Sequence, residues 1–168
     1  IERQAAALVL AGDIYDDADR EVAAQLRVKR GFERLHEAGI PVFMVHGNHD
    51  PLTKSYRPAA TLPPSVHVFG SGEVSVRELS ATAGDWHVAG ISFSKAAETG
   101  NLAERFRGLG AHGADPQRCI GVLHANLEGT TGHDRYAPCT TADLASGEVA
   151  YWALGHIHLR NVESLGAG

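Results

Sequence analysis

The chain has 168 residues, 43% of them hydrophobic and 21% charged, which fits one folded domain and excludes a disordered or low-complexity chain. Its formal net charge of −5 excludes a positive field over the whole domain, and no apolar run reaches the roughly 18 residues of a membrane span. The two cysteines, Cys119 and Cys139, are too few for a disulfide framework, so we expect reduced thiols in a soluble, cytoplasmic protein.

The first third of the chain predicts a strand, a helix and a second strand. Residues 5–11 form a near-continuous apolar run that is short enough to be a buried strand. The apolar residues of 24–35 recur at helical spacing, and Gly39 is expected to end this helix. A second buried strand is predicted at 42–45. Such a β-α-β unit implies that its two strands are parallel.

The rest of the chain predicts more strands, and so an α/β fold. Residues 66–69, 74–79 and 86–93 alternate or run apolar, which is typical of a more antiparallel set of strands. Two further buried strands are predicted at 119–123 and 151–154. The remaining predicted elements are a short helix at 101–107, a loop at 129–141 and a helical turn at 142–145.

Side chains of the types that bind metal ions follow four of the predicted buried strands. In open α/β sheets the binding crevice lies at the carboxyl ends of the strands, so residues far apart in sequence can converge there. We therefore expect one metal centre at this edge. Its predicted ligands are Asp13, Asn48, His124, His156 and His158.

These oxygen and nitrogen ligands, without a thiolate, suit Mn²⁺, Fe²⁺ or Zn²⁺. The Asp13 carboxylate can bridge two cations, and extended backbone would place His156 and His158 on one side, each on a different metal. Two adjacent cations activate water and polarise a phosphoryl group, which indicates phosphoester hydrolysis. His49 is placed to stabilise the phosphorane-like charge or to protonate the departing oxygen, with Asp50 as a candidate to orient its ring.

The order of the motifs resembles that of the calcineurin-like metallophosphoesterases. The motifs are Gly12-Asp13-Ile14-Tyr15-Asp16, Gly47-Asn48-His49-Asp50, a lone His124 after a strand, and Gly155-His156-Ile157-His158. The likeness covers nearly the whole of residues 1–168. Within the superfamily, residues 132–140 and the Asp143-Leu144 and 151–156 segments after them are similar to the SbcD-type DNA repair exonucleases, especially the YhaO-like branch.

The resemblance implies a sandwich of two mixed β-sheets flanked by helices, and a hydrolase that cleaves DNA with two divalent ions, commonly Mn²⁺. It implies that Asp13 bridges the ions, that His158 serves one of them and that His49 is catalytic. By the same resemblance, Asn48, His124 and His156 complete the other ion's site. Asp16 occupies a family position near the active centre. DNA and a coiled-coil ATPase of the SbcC/Rad type are the implied partners.

One family motif is not found in this sequence. The family begins with a strand that ends in Asp-x-His and supplies two ligands to the metal shared with His158, and residues 1–12 do not contain it. We expect that strand upstream of Ile1, with residues 1–4 as the end of the helix that follows it. We also expect the C-terminal accessory regions of such nucleases to lie outside residues 1–168.

Two other functions stay open at this point. The first is a small-molecule phosphodiesterase or phosphatase on the same fold, although Asp17 and Asp50 occupy positions where the related protein phosphatases usually have Arg and Glu. The second is a non-catalytic interaction module with a partial metal site. The loop that contains Asp134 either contacts substrate or is an ordinary surface loop. His46 and His67 are predicted to be structural.

Overall fold

The computed structural model describes residues 5–16, 22–53, 61–81, 84–129 and 134–165; the predictions for residues 1–4 fall outside these ranges. Within the described ranges, no helix combines the length and the apolarity that a membrane span requires. Their helices and strands, in chain order, are β1 (Leu8–Ala11), α1 (Val22–Glu37), β2 (Val42–Val45), β3 (Val66–Val68), β4 (Ser75–Ala81), β5 (Gly84–Gly90), β6 (Cys119–His124), α2 (Thr141–Ala145) and β7 (Tyr151–Gly155).

The strands form two sheets, as an α/β sandwich requires. The first has the order β1-β2-β3, and all of its described pairings are parallel, which confirms the predicted β-α-β unit of β1, α1 and β2. The second has the order β4-β5-β6-β7, in which β4 is antiparallel to β5 and the other pairings are parallel. The second sheet is therefore mixed as expected, whereas the described part of the first is parallel.

Two local predictions were wrong in detail. The strand near residues 66–69 was expected in an antiparallel set, but β3 extends the first sheet parallel to β2, because an apolar pattern marks a strand without naming its partner. The helix expected at 101–107 is one 3₁₀ turn, Ala103–Phe106. The turn ends at Arg107, whose backbone is extended at φ −76° and ψ 140°.

The core lies in three layers because the side chains of each strand alternate between its two faces. Phe43 and Val45 of β2 point between the two sheets, where they pack with Val88 and Val122. Val42 and Met44 lie on the other face of β2, against Phe32 of α1. The outer face of the second sheet is covered by two 3₁₀ turns, Ala103–Phe106 and Leu109–His112, and by α2. Because these layers pack on the faces of the sheets, the carboxyl ends of the strands are available to form a site.

Both cysteines are buried free thiols. Burial raises the pKa of Cys119 to about 11 and that of Cys139 to about 12. A thiol with so high a pKa forms little thiolate near neutral pH and is a poor nucleophile.

Candidate metal centre

Four strand ends meet at one edge of the two sheets. The carboxyl ends of β1 and β2 lie side by side, as do those of β6 and β7, where His124 is opposite Gly155. The two pairs approach so closely that a Cβ at Gly155 would overlap the carbonyl oxygen of Ala11. This convergence places the ligand atoms of Asp13, His124 and His156 within 4.8 Å of one another.

The His124 ring is held in one tautomer. Its Nδ1 lies 2.8 Å from the carbonyl oxygen of Ala11, and because a carbonyl only accepts, Nδ1 carries the proton and donates it. The lone pair of Nε2 therefore faces Oδ1 of Asn48 at 2.9 Å and Oδ2 of Asp13 at 3.2 Å. His124 is 1% exposed, and the ring of Phe93 packs edge-on against it.

The His156 ring shows the same arrangement with its nitrogens exchanged. Its Nε2 lies 2.8 Å from the carbonyl oxygen of Asp134 and so carries the proton, while Nδ1 faces Oδ1 of Asn48 at 3.1 Å. Two imidazole lone pairs, an amide oxygen and a carboxylate thus face one another. Such atoms repel unless a cation lies among them, and their chemistry fits Mn²⁺, Fe²⁺ or Zn²⁺.

Unusual backbone conformations aim these ligands. Gly12, Asp13 and His156 have φ angles of 94°, 52° and 91°, in the left-handed region. For a residue other than glycine this costs about 1–3 kcal/mol, and such strain is commonest at functional sites. Gly12 and Gly47 also allow close approach, because a Cβ at Gly12 would overlap the His124 ring and one at Gly47 would overlap Asp13 and His124.

Asp13 has the charge state that a metal ligand needs. The pKa of Asp13 lies below its ordinary value: burial raises it, whereas the backbone N–H of His49, which donates to Oδ1 at 3.0 Å, lowers it. The carboxylate is therefore ionised at neutral pH. The same contact fixes its orientation toward the two imidazoles.

His49 and Asp16 form a pair at the rim of the centre. Nδ1 of His49 lies 2.9 Å from Oδ1 of Asp16, whose side chain is 82% exposed. The prediction that Asp50 orients this ring was wrong. The Asp50 carboxylate is buried and accepts hydrogen bonds from Gly47 and Ile14 instead. The carboxylate beside the ring is that of Asp16, in the loop after β1.

Asp50 connects the loop after β1 to the loop after β2. It is fully buried, and its two oxygens accept hydrogen bonds from the backbone N–H of Gly47 at 2.7 Å and of Ile14 at 2.9 Å. Oδ2 also lies 3.1 Å from Nδ1 of His46, which confirms a structural role for that histidine. Burial raises the pKa of Asp50, but His46 and the two N–H groups together lower it below its ordinary value.

A family assignment agrees with this geometry. The family model of the calcineurin-like phosphoesterases matches residues 1–160. The chain belongs to this family. The motif order that suggested the resemblance therefore reflects membership, and Asp13, Asn48, His124 and His156 of this calcineurin-like phosphoesterase are the residues that its strand ends bring together.

The chain is also similar to three curated proteins, and it spans about two fifths of their length. It is 40% identical to the uncharacterized metallophosphoesterase YhaO of Bacillus subtilis, over 94% of this chain and 38% of that protein. It is 24% identical to the DNA double-strand break repair protein Mre11 of Methanocaldococcus jannaschii, over 94% and 41% respectively. The Mre11 protein of Sulfurisphaera tokodaii is 26% identical, over 96% and 40%.

His158 is placed differently from the other predicted ligands of this phosphoesterase. It is exposed and does not belong to the group formed by Asp13, His124 and His156 within the described ranges. The expectation that His156 and His158 lie on one side assumed extended backbone between them, and the φ of 91° at His156 is not extended. That His158 binds a second metal stays a prediction.

Sequence reasoning missed the groups that orient the two histidines. The carbonyl oxygens of Ala11 and Asp134 select the tautomers of His124 and His156, and no side-chain type marks a backbone carbonyl for this task. Asn126 was also missed, although an amide that follows the predicted strand at 119–123 so closely is a usable signal. Asp134 lies on the loop left open between substrate contact and ordinary surface; residues 130–133 of that loop lie outside the described ranges.

Proposed function

We propose that this chain is the catalytic domain of a metal-dependent phosphodiesterase. The observation that supports it is the convergence of unprotonated nitrogens of His124 and His156 on the oxygens of Asp13 and Asn48. A divalent cation held there would supply Lewis-acid polarisation of a phosphoryl oxygen and a water acidic enough to ionise near neutral pH. Mn²⁺ is the metal that we propose, with Fe²⁺ and Zn²⁺ as alternatives.

Asp13, Asn48 and His158 have separate tasks in this proposal. Asp13 offers two carboxylate oxygens, of which Oδ1 already accepts a hydrogen bond from the backbone N–H of His49. Asn48 presents one oxygen to both imidazoles. We propose that Asp13 bridges two cations and that His158 serves the second one, as the resemblance implies.

His49 would protonate the departing oxygen of the substrate. The carboxylate of Asp16 lies 2.9 Å from Nδ1 and would direct the ring, which leaves Nε2 as the proton-donating atom. Because Asp16 is largely exposed, this pair stabilises the fold little and its contribution is orientation. Asp50 would act by holding the loops that carry His49 and Asp13 together.

We propose DNA as the substrate, in a cytoplasmic DNA repair role. The support is the name of two relatives, DNA double-strand break repair protein Mre11, together with the likeness to SbcD-type exonucleases. The net charge of −5 gives this domain no general attraction for DNA. A coiled-coil ATPase partner of the SbcC/Rad type, or further parts of the protein, would supply the DNA-binding surface.

Cleavage assays with Mn²⁺ test the proposal. The chain is offered single- and double-stranded DNA, a cyclic nucleotide, bis(p-nitrophenyl) phosphate and a phosphopeptide. We expect cleavage of the phosphodiesters, its loss in Asp13→Asn, and no loss in Asp85→Asn, a matched change at an exposed strand residue. Failure to cleave any phosphodiester, or full activity in Asp13→Asn, would contradict the proposed function.

The acidic charge favours one alternative, a small-molecule phosphodiesterase or phosphatase, since a small substrate needs no extended basic surface. Preference for the cyclic nucleotide over DNA in the competition assay would select it. A non-catalytic interaction module is the other alternative. Metal analysis separates that case, because tight binding of divalent ions favours an enzyme and no binding favours a module.

A further inference from the structure

Asn126 is a fully buried amide just beyond β6, and it contacts the segment 134–139 through three of its groups. Its backbone N–H donates to the carbonyl oxygen of Tyr136 at 3.0 Å, and its own carbonyl accepts from the N–H of Cys139 at 3.1 Å. Its side-chain Nδ2 donates to the carbonyl oxygen of Asp134 at 3.3 Å. The main chain of this segment is therefore held on both sides by one residue.

The Asp134 carbonyl is the group that holds the His156 ring. It accepts from Nε2 of His156 at 2.8 Å and from the backbone N–H of Tyr136 at 2.9 Å, in addition to the amide of Asn126. A neutral imidazole can carry its proton on either nitrogen, so a carbonyl at Nε2 selects the tautomer whose Nδ1 lone pair is available. That Nδ1 is the atom that faces Asn48.

The backbone contacts alone do not account for an asparagine at this position. An apolar residue at 126 would make the same two main-chain hydrogen bonds to Tyr136 and Cys139, and it would avoid burying a polar side chain. The amide adds a donor that reaches the Asp134 carbonyl at 3.3 Å. The position of the Asn126 amide therefore indicates a role in holding the Asp134 carbonyl, which in turn contacts the His156 ring.

We infer that Asn126 is a positioning residue for the metal centre, because it fixes the Asp134 carbonyl that keeps His156 in the Nε2–H tautomer with Nδ1 toward Asn48 and Asp13. This inference rests on the proposed function in that it takes the four-residue cluster as a metal site. Partners that orient a ligating histidine typically change metal affinity by about 10–100-fold when removed. We expect a loss of Mn²⁺ affinity in that range without Asn126.

Nitrogen NMR of ¹⁵N-histidine in the metal-free full chain reads the tautomers directly, and calorimetric titration with Mn²⁺ reads the affinity. In the wild type we expect the proton on Nε2 of His156 and on Nδ1 of His124. Asn126→Leu keeps the branched shape without the amide, and Asn126→Ala removes the side chain beyond Cβ; in both, His156 is expected to mix its tautomers while His124 does not change. The matched control is Leu79→Ala, a buried position at the opposite end of the second sheet, which loses stability but keeps both tautomers and the Mn²⁺ affinity.

Unchanged His156 tautomer and unchanged Mn²⁺ affinity in the two Asn126 variants would overturn the inference. Should neither variant fold, the wild type decides: a proton on Nδ1 of His156 overturns it, and an Nε2–H ring with a slowly exchanging Asn126 amide supports it. These measurements need no catalysis. A chain that binds Mn²⁺ and shows the expected tautomers but cleaves no phosphodiester would refute the proposed function alone.

Discussion

Replacing Asp50 with alanine removes the carboxylate that holds the loop after β1 to the loop after β2, and it leaves the side chain of every proposed metal ligand unaltered. The carboxylate accepts from Gly47 N–H at 2.7 Å and from Ile14 N–H at 2.9 Å, and it is fully buried. Hydrogen bonds to a charged group contribute about 1.5–3 kcal/mol each, so losing both lowers the free energy of unfolding by about 3–6 kcal/mol. That is a large part of the 5–15 kcal/mol typical of a domain, roughly speaking.

Asp50→Asn is the matched variant, because it has the same shape and keeps one acceptor oxygen. It can satisfy one of the two N–H groups, and we expect half of that loss, about 1.5–3 kcal/mol. The sign of the pH dependence follows from the lowered pKa of Asp50 in the folded protein. The stabilisation by the ionised carboxylate is present above the ordinary value of 3.8 and is lost as the pH falls through the lower folded pKa.

Urea denaturation of the wild type and both variants, at neutral pH and in acid, measures these differences. The same samples titrated with Mn²⁺ should bind it more weakly, because the loops that carry Asp13 and Asn48 are no longer tied together. An unfolding free energy within about 1 kcal/mol of wild type in Asp50→Ala would refute the reasoning. Loss of cleavage with unchanged stability would instead assign Asp50 to catalysis.

Three further changes test the rest of the site. His124→Ala removes a ligand atom and should weaken Mn²⁺ binding by more than about 100-fold in calorimetry, beyond the effect of losing an orienting partner; an unchanged affinity would remove His124 from the metal site. Asp16→Asn should lower kcat while the melting temperature and Mn²⁺ affinity stay near wild type, because an exposed pair adds only about 0–1 kcal/mol; wild-type kcat would contradict its orienting role. Gly155→Ala places a methyl group against the Ala11 carbonyl and should cost about 1–3 kcal/mol of stability, read from thermal unfolding, and a neutral result would show that the edges of β1 and β7 can separate.

Local sequence predicted the strands that carry the ligands because each is a short apolar run with a polar residue directly after it. The runs that became β1, β2, β6 and β7 were all predicted, as was helix α1, whose Val28, Phe32 and Leu35 face the first sheet. The convergence of their ends follows from parallel pairing, which the β-α-β order implies. The placement of β3 did not follow, since its pattern fits a parallel or an antiparallel partner equally well.

The sequence by itself determined which residues stand at the strand ends and hence the oxygen and nitrogen donors available to a metal ion. Only the tertiary structure decided how those donors are aimed. It paired His49 with Asp16 from another loop and turned the adjacent Asp50 into the core. It also chose the tautomers of the ligand histidines through main-chain carbonyls. The physical reason is that every residue carries the same carbonyl group, so the folded path of the chain alone selects which one meets an imidazole.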